Sequence, residues 1–193
     1  MRTCLVLLAV AFGGSASAAV PGSTAYVAQI GDGQIATITR PGARGTYADI
    51  RQQGTRNEGR ISQTGDGAMR ALVSQTGDTN IVAARQSGAG ANDLMLFQNG
   101  AANAAAVEQS ASAATNYAAL IQTGANNVMT LAQSGSDNRA TLSQTGDGNA
   151  MTATQYGAGN RLDWAQIGSG LADLGIIQNG GQAMTITQVG AGR

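Results

Sequence analysis

Residues 143–155 read Ser143-Gln144-Thr145-Gly146-Asp147-Gly148-Asn149-Ala150-Met151-Thr152-Ala153-Thr154-Gln155. The stretch sets a glutamine, a glycine two residues on and an asparagine three further. Small and polar residues then alternate up to a second glutamine. Met151, Ala153 and Gln155 are two apart, so in an extended chain they share one face. Gly146 marks a turn, because glycine adopts φ > 0 without steric cost. Close copies begin at Ser62 (SQTGDGA), Ser74 (SQTGDTN), Ile121 (IQTGANN) and Ala132 (AQSGSDN).

Alignment on the glutamine extends the pattern over nearly the whole chain. The slots are Gln29, Gln52, Gln63, Gln75, Gln86, Gln98, Gln109, Gln122, Gln133, Gln144, Gln155, Gln166, Gln178 and Gln188, and Arg40 fills the remaining one. Fifteen arms result, spaced 10 to 13 residues apart. Glycine stands two residues after the slot at Gly31, Gly42, Gly54, Gly65, Gly77, Gly88, Gly100, Gly124, Gly135, Gly146, Gly157, Gly168, Gly180 and Gly190, with Ala111 as the exception. Two residues before each slot stands an apolar residue, from Val27 and Ile38 to Trp164, Ile176 and Ile186. Four before stands a small or apolar one, including Leu162, Leu174 and Met184. Six before, asparagine fills Asn57, Asn80, Asn92, Asn103, Asn116, Asn127, Asn138, Asn149 and Asn160.

Each arm therefore reads as a strand with one buried face and a tight turn. Two arms make a coil of about 22–23 residues, a period that belongs to repeat architectures. The expected fold is an all-β, two-sided parallel β-solenoid of about seven coils with cross-β character. Parallel stacking sets like residues over like, about 4.8 Å apart. A side-chain amide has two donors and a carbonyl acceptor, so a buried Gln or Asn is satisfied where the next coil repeats it. Unpaired, it costs about 1–3 kcal/mol. The glutamines and asparagines named above are thus expected to form inward ladders, and the glycines the turns. The end coils are expected to carry half-paired amides that another copy of the chain would complete. The C-terminal run Gln188-Val189-Gly190-Ala191-Gly192-Arg193 offers no helix to cover the last coil.

The first residues read differently. Arg2 precedes the apolar run Cys4–Phe12, and Ser15-Ala16-Ser17-Ala18-Ala19 supplies small residues for cleavage. This is the pattern of a secretory signal peptide, too short for a membrane span. Residues 1–19 are read as that signal and 20–193 as one solenoid domain. Removal of the signal takes Cys4, the only cysteine, so the exported chain has no disulfide or thiolate chemistry.

The repeat resembles the curlin repeat, a unit of about 22 residues written Ser-x5-Gln-x-Gly-x2-Asn-x-Ala-x3-Gln. Gln144 to Gln155 carries its second half, with Met151 as a departure. The resemblance spans about 23–188. It implies a secreted bacterial subunit of curli, a functional amyloid of the biofilm matrix, located outside the cell as a fimbria-like fibre that serves adhesion. It also implies partners: the chain itself, a sister curlin subunit, a dedicated outer-membrane secretion channel and accessory proteins. Arg40-Pro41 departs from Gln-x and suggests a weak or growth-resistant coil.

Other readings fare worse. The mature chain has no His, Cys or Lys, which removes most catalytic materials, and no short-range acidic pair for glycoside cleavage emerges. The acidic turn residues Asp66, Asp78 and Asp147 lack the period and the oxygen count of a calcium repeat; they read as solvated charges, with Asp32, Asp66 and Asp147 as brakes on premature assembly. Formal net charge is +0, which disfavours nucleic acid as a partner. The sequence calls for no cofactor, metal or small-molecule substrate. The alternative function is a monomeric secreted β-solenoid that binds a surface or a polysaccharide.

Overall fold

The computed structural model describes residues 14–16 and 22–190. The signal read over 1–19 lies outside the described residues apart from 14–16, and so do Ala191–Arg193. Among the described residues sixteen strands form two eight-stranded parallel sheets. Sheet A comprises, in spatial order, β1 (Gly14–Ala16), β3 (Ile35–Thr39), β5 (Glu58–Thr64), β7 (Ile81–Gly88), β9 (Ala104–Ala111), β11 (Val128–Ser136), β13 (Ala150–Ala158) and β15 (Ile176–Asn179). Sheet B comprises β2 (Thr24–Ile30), β4 (Tyr47–Thr55), β6 (Met69–Asp78), β8 (Asn92–Ala101), β10 (Asn116–Ala125), β12 (Arg139–Thr145), β14 (Arg161–Ile167) and β16 (Ala183–Val189). The chain passes from one sheet to the other at every turn, so each strand pairs with the strand two further on. This is a two-sided parallel β-solenoid of about seven coils.

Register follows the repeat. Gln98, Gln122 and Gln144 stand one above another, flanked by the column Leu96, Leu120, Leu142. Alternation is strict in the middle strands: in β13, Met151, Ala153 and Gln155 are buried and the residues between them are half-buried. The core between the sheets is one continuous cluster running from Ala36 and Ile38 to Leu162 and Trp164. Trp164 is its one aromatic side chain among the described residues; the rest is Ala, Val, Ile, Leu and Met.

Turn geometry accounts for the glycine column. Gly54, Gly77, Gly100, Gly124 and Gly146 all have φ between 104° and 127°. A Cβ on Gly100 would lie 2.0 Å from the Gly124 carbonyl oxygen one coil on. Both the dihedral and the close approach exclude a side chain there. Two residues further on, the tight turns need a second left-handed residue, supplied by Arg56, Thr79, Ala102, Asn126 and Asp137 with φ of 53–58°.

Two readings are corrected. Leu174 does not face the core: it is 51% exposed. The one-residue surplus between Gln166 and Gln178 is taken up as an irregular segment, 171–175, and β15 starts only at Ile176. Asp173 holds this bulge by accepting hydrogen bonds from Thr152 N at 2.8 Å and Gly175 N at 2.9 Å. Gly190 lacks the positive φ of the other turn glycines.

Candidate functional site

The interior polar columns are the most unusual feature of the molecule. Gln52, Gln63, Gln75, Gln86, Gln98, Gln109, Gln122, Gln133, Gln144, Gln155, Gln166 and Gln178 are all at most 2% exposed, and the nine asparagines from Asn57 to Asn160 at most 1%. Gln29 and Gln188, in the outermost strands of sheet B, are half-buried.

The glutamine ladders have a direction. In sheet B each Nε2 donates to Oε1 of the glutamine one coil toward the C-terminus, from Gln29 through Gln52, Gln75, Gln98, Gln122, Gln144 and Gln166 to Gln188, at 2.7–2.9 Å. In sheet A the same chain of bonds runs from Gln63 through Gln86, Gln109, Gln133 and Gln155 to Gln178, at 2.7–2.9 Å. The second amide hydrogen crosses the core to a backbone carbonyl of the opposite sheet. Gln52 donates to Ile35 O at 3.0 Å, Gln63 to Tyr47 O at 3.1 Å and Gln144 to Val128 O at 3.1 Å. Each column glutamine from Gln52 to Gln178 is therefore a rung within its sheet and a strut between the sheets. The repeat alone predicts only the rung.

The asparagines run the other way. Nδ2 of Asn80, Asn103 and Asn127 donates back to Oδ1 of the asparagine one coil before, at 3.0 Å. The same Oδ1 accepts the backbone N–H above it, as from Asn80 N at 3.0 Å. The other Nδ2 hydrogen reaches forward to a turn glycine: Asn57 to Gly77 O at 2.7 Å, Asn103 to Gly124 O at 2.8 Å, Asn149 to Gly168 O at 2.8 Å. This bond explains why Gly and Asn travel together in the repeat. The left-handed glycine aims its carbonyl inward, and the asparagine of the previous coil satisfies it.

Three buried acceptors lack partners among the described residues: Gln34 Oε1, Gln63 Oε1 and Asn92 Oδ1. Each has a cause. Arg40 occupies the rung before Gln63 and is 9% exposed, but its Nη1 turns to Thr46 O and Oγ1 at 3.5 and 3.4 Å. Burial lowers its pKa. Asn92 Oδ1 lacks the donors of the next coil, because Asn116 sends its Nδ2 to Gly135 O and its backbone N–H to Ala91 O. Gln34 replaces asparagine with a longer side chain and spends its donors on Ile30 O and Gly54 O.

Of the acidic turn residues read as solvated charges, Asp66 is exposed, but Asp78 and Asp147 are engaged. Asp78 Oδ1 accepts Thr55 Oγ1 at 2.6 Å and Thr55 N at 3.1 Å, and these bonds lower its pKa. Asp147 Oδ1 accepts Ala125 N at 2.7 Å. Both tie a turn to the turn of the preceding coil. Among the described residues no cluster of three metal-ligating side chains occurs and no helix is long and apolar enough to cross a membrane.

At the two ends of sheet B the columns stop. Among the described residues nothing pairs with the outer edges of β2 and β16. Gln29 gives its amide to Gln52, and no donor among the described residues reaches its carbonyl. Gln188 accepts from Gln166 and from Trp164 Nε1, and spends one Nε2 hydrogen on Ala172 O. One end thus offers an amide acceptor and the other an amide donor, in the same column. Residues 124–157 and 135–168 match the model of the curlin associated repeat. No curated protein and no solved structure matches the chain.

Proposed function

We propose, from the premise that this chain is a curlin-repeat protein, that it is the structural subunit of a curli-type functional amyloid fibre which grows by stacking coil on coil. The observation that carries this reading is the polarity of the glutamine column in sheet B. Gln188 of one copy and Gln29 of the next have the donor and the acceptor that a continued rung needs, and the edges of β16 and β2 have the matching backbone groups. Open cross-β edges of this kind template their own extension. The role is mechanical rather than catalytic: fibre, adhesion and biofilm matrix. Export with removal of residues 1–19, passage through an outer-membrane channel with accessory proteins, and cooperation with a sister curlin subunit belong to the same reading. So does a location outside the cell.

The test is assembly of the purified chain without residues 1–19. Micromolar protein should become fibrous within days, bind thioflavin and diffract with spacings of about 4.7–4.8 Å along the fibre and about 10 Å across it. Protein that stays monomeric under these conditions, with no thioflavin signal, overturns the reading in favour of a monomeric solenoid. Replacement of Gln144 or Asn149 by Ala should slow growth.

A further inference from the structure

The outer face of sheet B holds a groove that the amide columns do not explain. Tyr47, Asp49 and Arg51 alternate with the inward Ala48, Ile50 and Gln52, so they point away from the core. Register sets Arg70 beside Tyr47, Leu72 beside Asp49, and Ser74 then Phe97 beside Arg51. The shorter Leu72 and Ser74 lie between tall side chains on both sides. They leave a cavity of about 650 Å³ lined by Tyr47, Asp49, Arg51, Arg70, Leu72 and Phe97 among others. That volume falls within the range of small-ligand sites, about 300–1,000 Å³.

Asp49 makes this a built site rather than a gap between side chains. It faces outward, yet it is only 3% exposed. Arg51 lies along its carboxylate, with Nε 3.3 and 3.2 Å from Oδ1 and Oδ2 and Nη2 3.0 Å from Oδ2. The Tyr47 hydroxyl donates to Oδ2 at 3.4 Å. The Tyr26 ring holds the guanidinium from the other side, 5.6 Å from its carbon. Arg51 thus lies along Asp49 with its side chain 65% exposed, and its Nη1 hydrogens have no acceptor among the described residues. Arg70 gives one Nη1 hydrogen to Asp93 at 3.1 Å, which leaves Nε and Nη2 free of partners among the same residues. Arg51 and Arg70 each pair with one carboxylate, Asp49 and Asp93, so formal charge is balanced, and what the groove offers a ligand is the unbonded N–H groups of Arg51 Nη1 and Arg70 Nε and Nη2. Beside these donors lies the Phe97 ring, 47% exposed.

A ligand that fits must supply an anionic acceptor with two oxygens and an apolar face. Guanidinium groups recognise carboxylates through paired N–H bonds, and an aromatic ring takes a flat apolar surface. We propose that this groove binds an acidic saccharide of the uronate type, with its carboxylate on Arg51 and Arg70 and the carbon–hydrogen face of a pyranose on Phe97. The groove lies on the side of the stack and is complete within one chain. It is open whether the protein is monomeric or assembled, so it does not depend on fibre formation.

Equilibrium dialysis of labelled tetragalacturonate against the exported chain tests this in either state. One site per chain is expected, with Arg70→Gln and Phe97→Ala each weakening binding about tenfold or more, the scale of one lost charge-assisted contact for the first and one lost aromatic contact for the second. Both side chains are at the surface, so neither substitution disturbs the core. Arg139→Gln, which removes a guanidinium stacked 4.7 Å over Tyr117 elsewhere on the same face, should change nothing, and a neutral galactose tetramer should bind at least about tenfold more weakly. Absence of binding overturns the proposal. So does equal loss in Arg139→Gln, which means diffuse charge attraction. So does unchanged affinity in Phe97→Ala with full competition by inorganic phosphate, which means a bare anion site.

Discussion

Arg40→Gln should stabilise this protein, although it replaces one buried residue by a smaller one. At present the rung before Gln63 holds a buried guanidinium whose hydrogen bonds to Thr46 are long, 3.4–3.5 Å, and Gln63 Oε1 has no partner among the described residues. A glutamine at 40 would present Nε2 to that oxygen as every other rung of both columns does, at 2.7–2.9 Å. Pairing an orphaned buried acceptor recovers about 1–3 kcal/mol, and relief of the desolvated charge adds to it. With about 2 kcal/mol as the midpoint, a chain of this size should melt about 4–8 °C higher. A stack of coils responds locally, so the gain should appear as slower amide exchange in β3 and β5, with exchange around Trp164 unchanged. Arg40→Leu separates the two contributions: it removes the charge and supplies no donor, so it should recover less than Arg40→Gln. Equal effects of Gln and Leu, or no added protection in β3 and β5, would refute the argument that the missing rung is the defect.

Gly100→Ala should cost about 3 kcal/mol or more, or prevent folding, because its Cβ meets the Gly124 carbonyl at 2.0 Å and needs φ near 127°; far-ultraviolet circular dichroism during urea unfolding reads the loss. Thr79→Gly should raise stability by about 0.5–1 kcal/mol in the same assay, since a β-branched residue at φ 55° is strained. Acid should loosen the turn at Asp78. Its carboxyl is held below its ordinary pKa by the Thr55 hydrogen bonds, so its contribution is present above the unfolded pKa and is lost as pH falls through the lower folded value; amide exchange at Thr55 should rise there, and Asp78→Asn should flatten that dependence. At Asp173 burial pushes the pKa up, but the bonds from Thr152 and Gly175 win and lower it, so acid should also free the 171–175 bulge.

The period, the parallel register and the all-β class were legible in the sequence because they need only the spacing of Gln, Gly and Asn. The same counting failed at Leu174. It assumes that a surplus residue leaves the strand intact, whereas here the chain bulges and lets Asp173 stand in for a strand carbonyl. Spacing is equally silent about the second hydrogen of each amide. Only the facing sheet determines that Gln144 reaches Val128 O, or that Asn57 reaches a glycine carbonyl one coil away. The groove was illegible for another reason. Tyr47, Asp49 and Arg51 occupy the outward positions of an ordinary strand. They become a cluster only because Tyr26, Leu72, Ser74 and Phe97 arrive beside them from other coils.

The irregular segment at 171–175 sets where the molecule yields under tension. Pulling along the stacking axis stretches interstrand hydrogen bonds end-on and loads the storeys in series, so the weakest storey parts first. Outside the segment 1–19, β15 meets β13 over four residue pairs, the shortest seam among the described strands, whereas β11 meets β13 over nine. Strain should concentrate there, and the stack should break at that one level, as a perforated sheet tears along its holes.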